Sequence, residues 1–442
     1  MTLGCRLNQY DTAAMRARAL AQGFVEAEPD AAADAVLINT CTVTARADRE
    51  SRQWIHRIHR SMPLARIVVT GCYAERARQE LAGIPGVSAV LGVADREDAD
   101  TLLGALGGLA PGRPARSEAP ATRPPAVGPR AERPPAVGPR AIREFRTGAP
   151  AFTGRSRALL KIQDGCDSFC TYCVVPYVRG RSRSLPLAEA LERARRLVEA
   201  GFHEIVLTGA DLGSYGRDLG HPRLLAKLIA ALLSLGGGHR IRLSSIEPNK
   251  LDPAVEALVG SEPRLCRHLH LPLQSGSNAI LRSMRRGYSR ESYRALLDRL
   301  TARGPVGIGT DVIVGYPGED EAMFEETRRF LEDAPLTYFH VFRYSARPGT
   351  AAARLHPGPP DPGSEARSAA LRTLGEAKAE AFRRSLIGST LSVVRERGHG
   401  ERGPLAMSDL YVAVELTHTP PGRGILPVRI VGAQGKRLVG AP

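Results

Sequence analysis

Residues 158–173 read ALLKIQDGCDSFCTYC. The apolar run Ala158–Ile162 predicts a buried strand, and the chain leaves it directly into Cys166, Cys170 and Cys173, spaced C-x3-C-x2-C. Three thiolates on a loop at the carboxyl end of a strand can wrap one corner of an iron–sulfur cube, ligating three of its four irons. The fourth iron then stays open, as a catalytic rather than purely electron-carrying cluster requires. Zinc fits less well, because a structural tetrahedral site takes a fourth ligand and usually two paired C-x2-C knuckles.

Downstream of this loop, strands and helices alternate. Glu204–Leu207, Arg240–Leu243, Arg267–Leu271, Gly307–Val314 and Tyr338–Phe342 carry strand patterns, and helical patterns at about 187–200, 222–234, 252–259, 289–303 and 319–332 separate most of them. Six βα units predict parallel strands with right-handed crossovers, either a barrel or an open doubly wound sheet. In both, function belongs at the carboxyl ends of the strands. From about Gly388 the pattern changes to short β-branched runs, LSVVRER, LYVAVEL and ILPVRIVG, which predict a small closed β-barrel of the OB type or a structural cap.

Upstream lies a compositional boundary. Residues 111–150 hold ten of the 33 prolines, and RPPAVGPR occurs at 123–130 and again at 133–140. Such a tract buries too little apolar surface to offset its ordering entropy and reads as an extended linker. Ahead of it, AVLIN (35–39) and RIVVT (66–70) look like buried strands of a small α/β unit, and Gln9–Gln22 has helical spacing. Cys5, Cys41 and Cys72 follow LG, NT and TG. Cys41 and Cys72 fall just past the two strands and so share a sheet edge, which makes the trio either a second three-ligand site or three buried core thiols. With MTLG alone ahead of Cys5, little chain is left to form a preceding strand, and poor ordering of that site is expected. Cys266, just before the strand RHLHL, reads as an inert core thiol. His268 and His270 alternate on that strand and share a face, either lining a barrel interior or, the commoner outcome, as satisfied core histidines.

Composition bounds the rest. With 442 residues, 43% hydrophobic and 24% charged, the chain has the makeup of roughly three globular domains. It shows no run of 18 apolar residues and no charged-then-apolar leader, so a cytoplasmic location without a membrane span is expected. In that setting, seven cysteines point to metal ligation rather than disulfides. Lys and Arg exceed Asp and Glu by 15, which favours a polyanionic partner such as nucleic acid; only five of the 61 basic residues are lysines, so base-composition bias explains Arg over Lys but not the surplus. Arg179, Arg181 and Arg183, just past the cysteine loop, are either phosphate or carboxylate ligands or a solvated edge. No Ser–His–Asp set, phosphate-cradling loop or carboxylate pair stands out, so hydrolase and kinase chemistry are disfavoured.

The stretch GCDSFCTYCVVPYVRGRSRS (165–184) resembles the radical S-adenosylmethionine methylthiotransferases. The likeness continues in LTGADLGSYG (207–216), IRLSSIEP (241–248), HLHLPLQSGSNAILRSMRRGY (268–288), TDVIVGYPGE (310–319), TLGCRLNQYDT (2–12), INTCTVT (38–44) and VTGCYAE (69–75). Within that family, RGRSRS, LNQYDT and LGSYGRDL are most similar to the branch acting on threonylcarbamoyladenosine in tRNA, rather than on isopentenyladenosine or a ribosomal protein.

The resemblance implies an α/β fold in parts: an N-terminal methylthiotransferase α/β domain over 1–106, a Pro/Ala/Arg-rich linker over 107–150, a partial (β/α)6 radical-SAM barrel over 151–380, and a TRAM-like small β-barrel over 381–442. It implies two [4Fe-4S] clusters, one on Cys166, Cys170 and Cys173 at the catalytic centre and an auxiliary one on Cys5, Cys41 and Cys72. S-adenosylmethionine would lie against Thr208, Gly209, Asp211, Ser245, Glu247, Gln274, Ser275, Gly315 and Pro317. The implied reaction inserts a methylthio group at C2 of N6-threonylcarbamoyladenosine beside the anticodon. Its partners would be a tRNA anticodon stem-loop and an electron donor such as flavodoxin or ferredoxin. A non-catalytic iron–sulfur RNA-binding or redox-sensing protein is the alternative from another class.

Overall fold

The computed structural model describes residues 1–28, 31–107, 145, 156–355, 361–401, 403–420 and 424–442. The expected linker over 107–150 lies outside the described residues, Gly107 and Phe145 apart. The chain forms two compact units: Met1–Ala151 with Val174–Gly180 and Arg347–Gly349, and the remainder.

The first unit is built on a parallel three-stranded sheet, β1 (Ala35–Thr40), β2 (Arg66–Gly71) and β3 (Val87–Leu91), in that order. Its helices include α1 (Arg6–Ala21), α2 (Ala45–Ser61) and α3 (Cys72–Arg76). Ile38, Ile55, Ile67, Val69 and Tyr73 form the main core between strands and helices. The first two strands match the sequence expectation; β3 was not foreseen. The short lead before Cys5 does pair: the Asn39 amide donates to the Met1 carbonyl at 3.0 Å and the Leu3 amide to the Asn39 carbonyl at 2.8 Å. Three residues therefore supply a rudimentary strand beside β1, where almost none was expected.

The second unit carries β4 (Arg157–Lys161), β7 (Glu204–Thr208) and β8 (Arg240–Leu243) as one parallel run, and β9 (His268–His270), β10 (Gly307–Val314) and β11 (Tyr338–Arg343) as another. Parallel bridges Ile241–Leu265 and Ser245–His270 join the runs. The strands thus follow chain order with no reversal, which settles the open choice in favour of a partial barrel over a doubly wound sheet. A short antiparallel pair, β5 (Gln163–Asp164) with β6 (Arg183–Ser184), brackets the cysteine loop.

Beyond the barrel, helix Ser364–Ser385 leads into β12 (Thr390–His399), β13 (Pro404–Ser408), β14 (Ala413–Leu416), β15 (Ile425–Gln434) and β16 (Arg437–Ala441), closed in the order β12-β13-β14-β16-β15. Leu391, Val393, Val414, Leu416, Val428 and Leu438 fill its core. This small barrel rests on the base of the large one through a buried charge cluster. Glu204 on β7 accepts from Arg240 Nε and Arg242 Nε at 2.7 Å each. The same guanidiniums donate to the backbone carbonyls of Ser392, Met407 and Ser408 at 2.8–2.9 Å. Burial works to raise the Glu204 carboxyl, yet Arg242 and Arg240 outweigh it and hold it well below the carboxylate range.

Candidate active site

In the second unit, β4 delivers the chain into the loop 165–173. Gly165 and, unusually for a non-glycine, Phe169 take positive φ, 72° and 44°, which folds the loop back on itself. The Cys173 amide donates to the Cys170 carbonyl at 2.9 Å, and the Thr171 hydroxyl lies 2.8 Å from that of Tyr316. The three cysteines therefore sit on an anchored loop at a strand's carboxyl end.

Cys166 and Cys170 have charged company from distant segments. The Cys166 sulfur accepts from the Ser168 amide at 3.4 Å and lies 3.6 Å from an Asp211 oxygen. Burial, then Asp211, push its thiol up to about 11. Cys170 is also raised by burial, opposed by Arg286, whose guanidinium donates to its sulfur at 3.1 Å. Arg286 is in turn paired with Glu247 and bonded to the Tyr288 hydroxyl at 2.9 Å.

Asp211 is held by its own ring of contacts. Its amide donates to Gln163 Oε1 at 2.8 Å, the Ser214 hydroxyl donates to its carboxylate at 2.9 Å, and Lys250 pairs with the same oxygen. The other carboxylate oxygen is buried without a protein partner. Gly209 is required beside it, since a β-carbon there would stand 2.8 Å from Gln163 Oε1. Thr208 is buried at the end of β7, its carbonyl accepting from the Ile162 amide at 3.0 Å.

The other expected contacts are distributed differently. Ser245 bonds His270 Nδ1 at 2.8 Å. Gln274 holds a positive φ of 71°, its amide donating to the Asp311 carbonyl. Ser275 points into helix Glu321–Asp333, 3.2 Å from the Thr327 hydroxyl. The Gly315 amide donates to Glu319 at 2.6 Å, and Pro317 lies in the turn that follows. Lys250 and Arg286 escaped sequence reasoning, although Arg286 lies inside the quoted RSMRRGY; nothing local marks which arginine of that run reaches Cys170.

In the first unit, strand register sets the second trio. Thr40 pairs with Gly71, so Cys41 and Cys72 leave adjacent strand ends side by side. Gly71, at φ 101°, allows this, because a β-carbon there would overlap the Thr40 carbonyl. Gly4, at φ 95°, brings the Cys5 turn close: a β-carbon would stand 2.6 Å from Cys41 Cβ and 2.9 Å from its sulfur. Burial, then the neighbouring Cys72, push the Cys41 thiol up to about 12, and burial raises Cys72 against the pull of Arg179. Buried thiols of this kind are ionised by a metal rather than by solvent. Both trios thus have the donor chemistry that an iron–sulfur cluster takes.

Arg179 is buried and bonded to Asn8 at 2.7 Å and Asp11 at 3.2 Å, and Arg183 is buried beside Asp164 at 3.5 Å. Of the three arginines read as phosphate ligands or a solvated edge, only Arg181 is exposed.

Residues 160–331 match the radical SAM superfamily, and residues 1–92 match a family described as uncharacterized protein family UPF0004. The chain is 38% identical over 382 residues to the threonylcarbamoyladenosine tRNA methylthiotransferase MtaB of Aquifex aeolicus, covering 86% of this chain and 88% of the relative. It is 40% identical to MtaB of Bacillus subtilis, covering 80% and 74%. The tRNA-2-methylthio-N(6)-dimethylallyladenosine synthase of Roseobacter denitrificans is 33% identical, covering 99% and 96%. Among solved structures, the radical S-adenosylmethionine methyltransferase TsrM from Kitasatospora setae shares the fold at TM-score 0.52 and 19% identity, covering 78% of this chain and 69% of that one. On its identity to relatives along most of their length, the chain belongs to the methylthiotransferase family of radical S-adenosylmethionine enzymes.

Proposed function

We propose that this protein inserts a methylthio group at C2 of N6-threonylcarbamoyladenosine in tRNA. The observation that carries it is the 38–40% identity to threonylcarbamoyladenosine tRNA methylthiotransferases over most of the chain. Membership of the superfamily brings S-adenosylmethionine and a [4Fe-4S] cluster as cofactors. In the proposal, Cys166, Cys170 and Cys173 hold that cluster, and Cys5, Cys41 and Cys72 hold a second one. The division into 1–106, 107–150, 151–380 and 381–442, a reductant such as flavodoxin or ferredoxin, and a cytoplasmic location belong to the same proposal. No helix among the described residues is long and apolar enough to cross a membrane.

When bound, these groups supply one-electron chemistry and sulfur, which an aromatic C–H beyond the reach of proton transfer requires. The chain's own residues orient and balance charge. Arg286 offsets negative charge at Cys170 while Glu247 neutralises its far side, so the buried site carries no lone ion. Asp211 offers its unpartnered buried oxygen to a cation, and the ammonium of S-adenosylmethionine has the right charge and hydrogen-bond chemistry. Gly209 and Gly315 let Gln163 and Ser364 pack directly against the backbone, with Thr208, Ser245, Glu247, Gln274, Ser275 and Pro317 shaping the neighbouring strand ends.

Nucleoside mass spectrometry of tRNA from cells with and without the gene tests the assignment. The methylthio mark is expected to vanish from threonylcarbamoyladenosine alone and to stay absent on complementation with Cys170→Ala. Loss from isopentenyladenosine instead would move the protein to the other tRNA branch.

A further inference from the structure

Outside the two cysteine sets, three ligand-type side chains meet on the second unit's sheet. The register pairs His270 with Gly309 and Asp311 with His340. Because side chains on a strand alternate, Gly309 and Asp311 face one way, and so His270, Asp311 and His340 share one face of three adjacent strands. One ligand atom from each lies within 4.8 Å of the others. His270 Nε2 is 3.3 Å from Asp311 Oδ1, and the His270 and His340 rings are 6.0 Å apart.

The surroundings suit ligation. His270 Nδ1 lies 2.8 Å from the Ser245 hydroxyl, so a single hydrogen bond fixes the ring and leaves Nε2 turned to Asp311. Metal-binding histidines characteristically anchor their second nitrogen in this way. One layer back on the same face, Gly309 makes room for the Tyr338 ring, which His268 bonds at 2.9 Å and Tyr411 adjoins. The trio therefore has an ordered aromatic layer beneath it, and the strands, rather than loops, set its spacing.

We propose that His270, Asp311 and His340 bind one divalent first-row metal ion, of the class that takes two imidazoles and a carboxylate: zinc, iron(II) or manganese(II). Three protein ligands leave coordination positions for water or an anionic oxygen. The site uses none of the cysteines and stands whichever tRNA base the enzyme modifies.

The test uses full-length protein with its cysteine sets loaded with iron and sulfide anaerobically, to which one equivalent of zinc sulfate is added. Zinc-edge X-ray absorption then reads the ligands of that ion alone. The expected result is a shell of nitrogen and oxygen at about 2.0–2.1 Å with no sulfur at about 2.3 Å. His340→Ala and Asp311→Asn are each expected to lose the bound equivalent while keeping wild-type iron and circular dichroism. Ser245→Ala, which leaves the three ligands in place, is expected to weaken binding about 10–100-fold. A sulfur shell, or stoichiometric nitrogen and oxygen ligation that survives both ligand substitutions, overturns the proposal, as does failure of the wild-type protein to retain zinc on desalting.

Discussion

At the scale of single residues, the proposed cluster ligands are tuned by the charged side chains around them. Arg286 is the clearest case, since it is buried, touches the Cys170 sulfur and is balanced by Glu247. Arg286→Gln keeps the three ligands but removes the positive charge. It is expected to lower methylthio-nucleoside formation about 10–100-fold, the usual cost of losing an outer-shell partner; wild-type turnover in anaerobic assays with tRNA would refute the role. Gly4 plays a steric part in the other trio. Gly4→Ala places a methyl against Cys41 in a left-handed backbone, so iron is expected to fall from about eight to about four atoms per chain. Unchanged iron and sulfide counts would mean that the Cys5 turn has slack. The cysteine loop after β4 and the place of Cys41 and Cys72 at adjacent strand ends were legible in the sequence, because spacing and position past a strand are local. Arg286, Lys250 and the His340 partner of Asp311 were not, because only the fold brings residues about 30 to 120 positions apart into contact.

At the scale of elements, the parallel strands were legible as apolar runs because both their faces are buried, as in β4 and β7. Helix Ser364–Ser385 was missed for the converse reason. Its buried positions are Ser364, Ser368, Leu371 and Gly375, of which Leu371 alone is a large apolar residue, so no apolar stripe shows, and Gly375 is there so that the Phe339 ring can lie 3.0 Å from where a β-carbon would be. The β5–β6 pair was missed because two residues are too few to show a period. Helix α2 shows the reverse pattern, a polar face of unusual composition. Arg46, Arg49, Glu50, Gln53, Trp54 and Arg57 line an open groove of about 550 Å³, with the Arg57 guanidinium 5.0 Å from the Trp54 ring. Guanidinium groups beside an indole suit phosphate contact and base stacking. With tRNA as substrate, Arg49→Glu combined with Arg57→Glu is expected to weaken tRNA binding and to reduce the slope of log affinity against log salt by roughly 1–2. An unaltered salt slope in filter binding would leave this face solvated and without a role.

At the scale of the whole molecule, the second unit depends on one buried carboxylate. Glu204 is shared between Arg240 and Arg242 as their common counter-ion, and those two guanidiniums also donate to the carbonyls that tie the small barrel to the large one. Removing the carboxylate leaves two buried cations unpaired, whereas removing either arginine alone leaves the carboxylate a partner. Glu204→Gln, close in shape, is therefore expected to cost about 3–5 kcal/mol in denaturant unfolding. The pH dependence has a definite sign. The folded carboxyl sits well below its unfolded value near 4.3, so its contribution is complete above that pH and drains away as the pH falls further toward the folded value. Wild-type protein is thus expected to lose stability steeply below about pH 4, and Glu204→Gln to lose less over the same interval, because it no longer has that charge to forfeit. If the two proteins instead ran parallel into acid, the barrel junction would owe its strength to packing, with the Leu410 backbone close against Gly307 and the Tyr411 ring 4.5 Å from that of His268, rather than to the ion cluster.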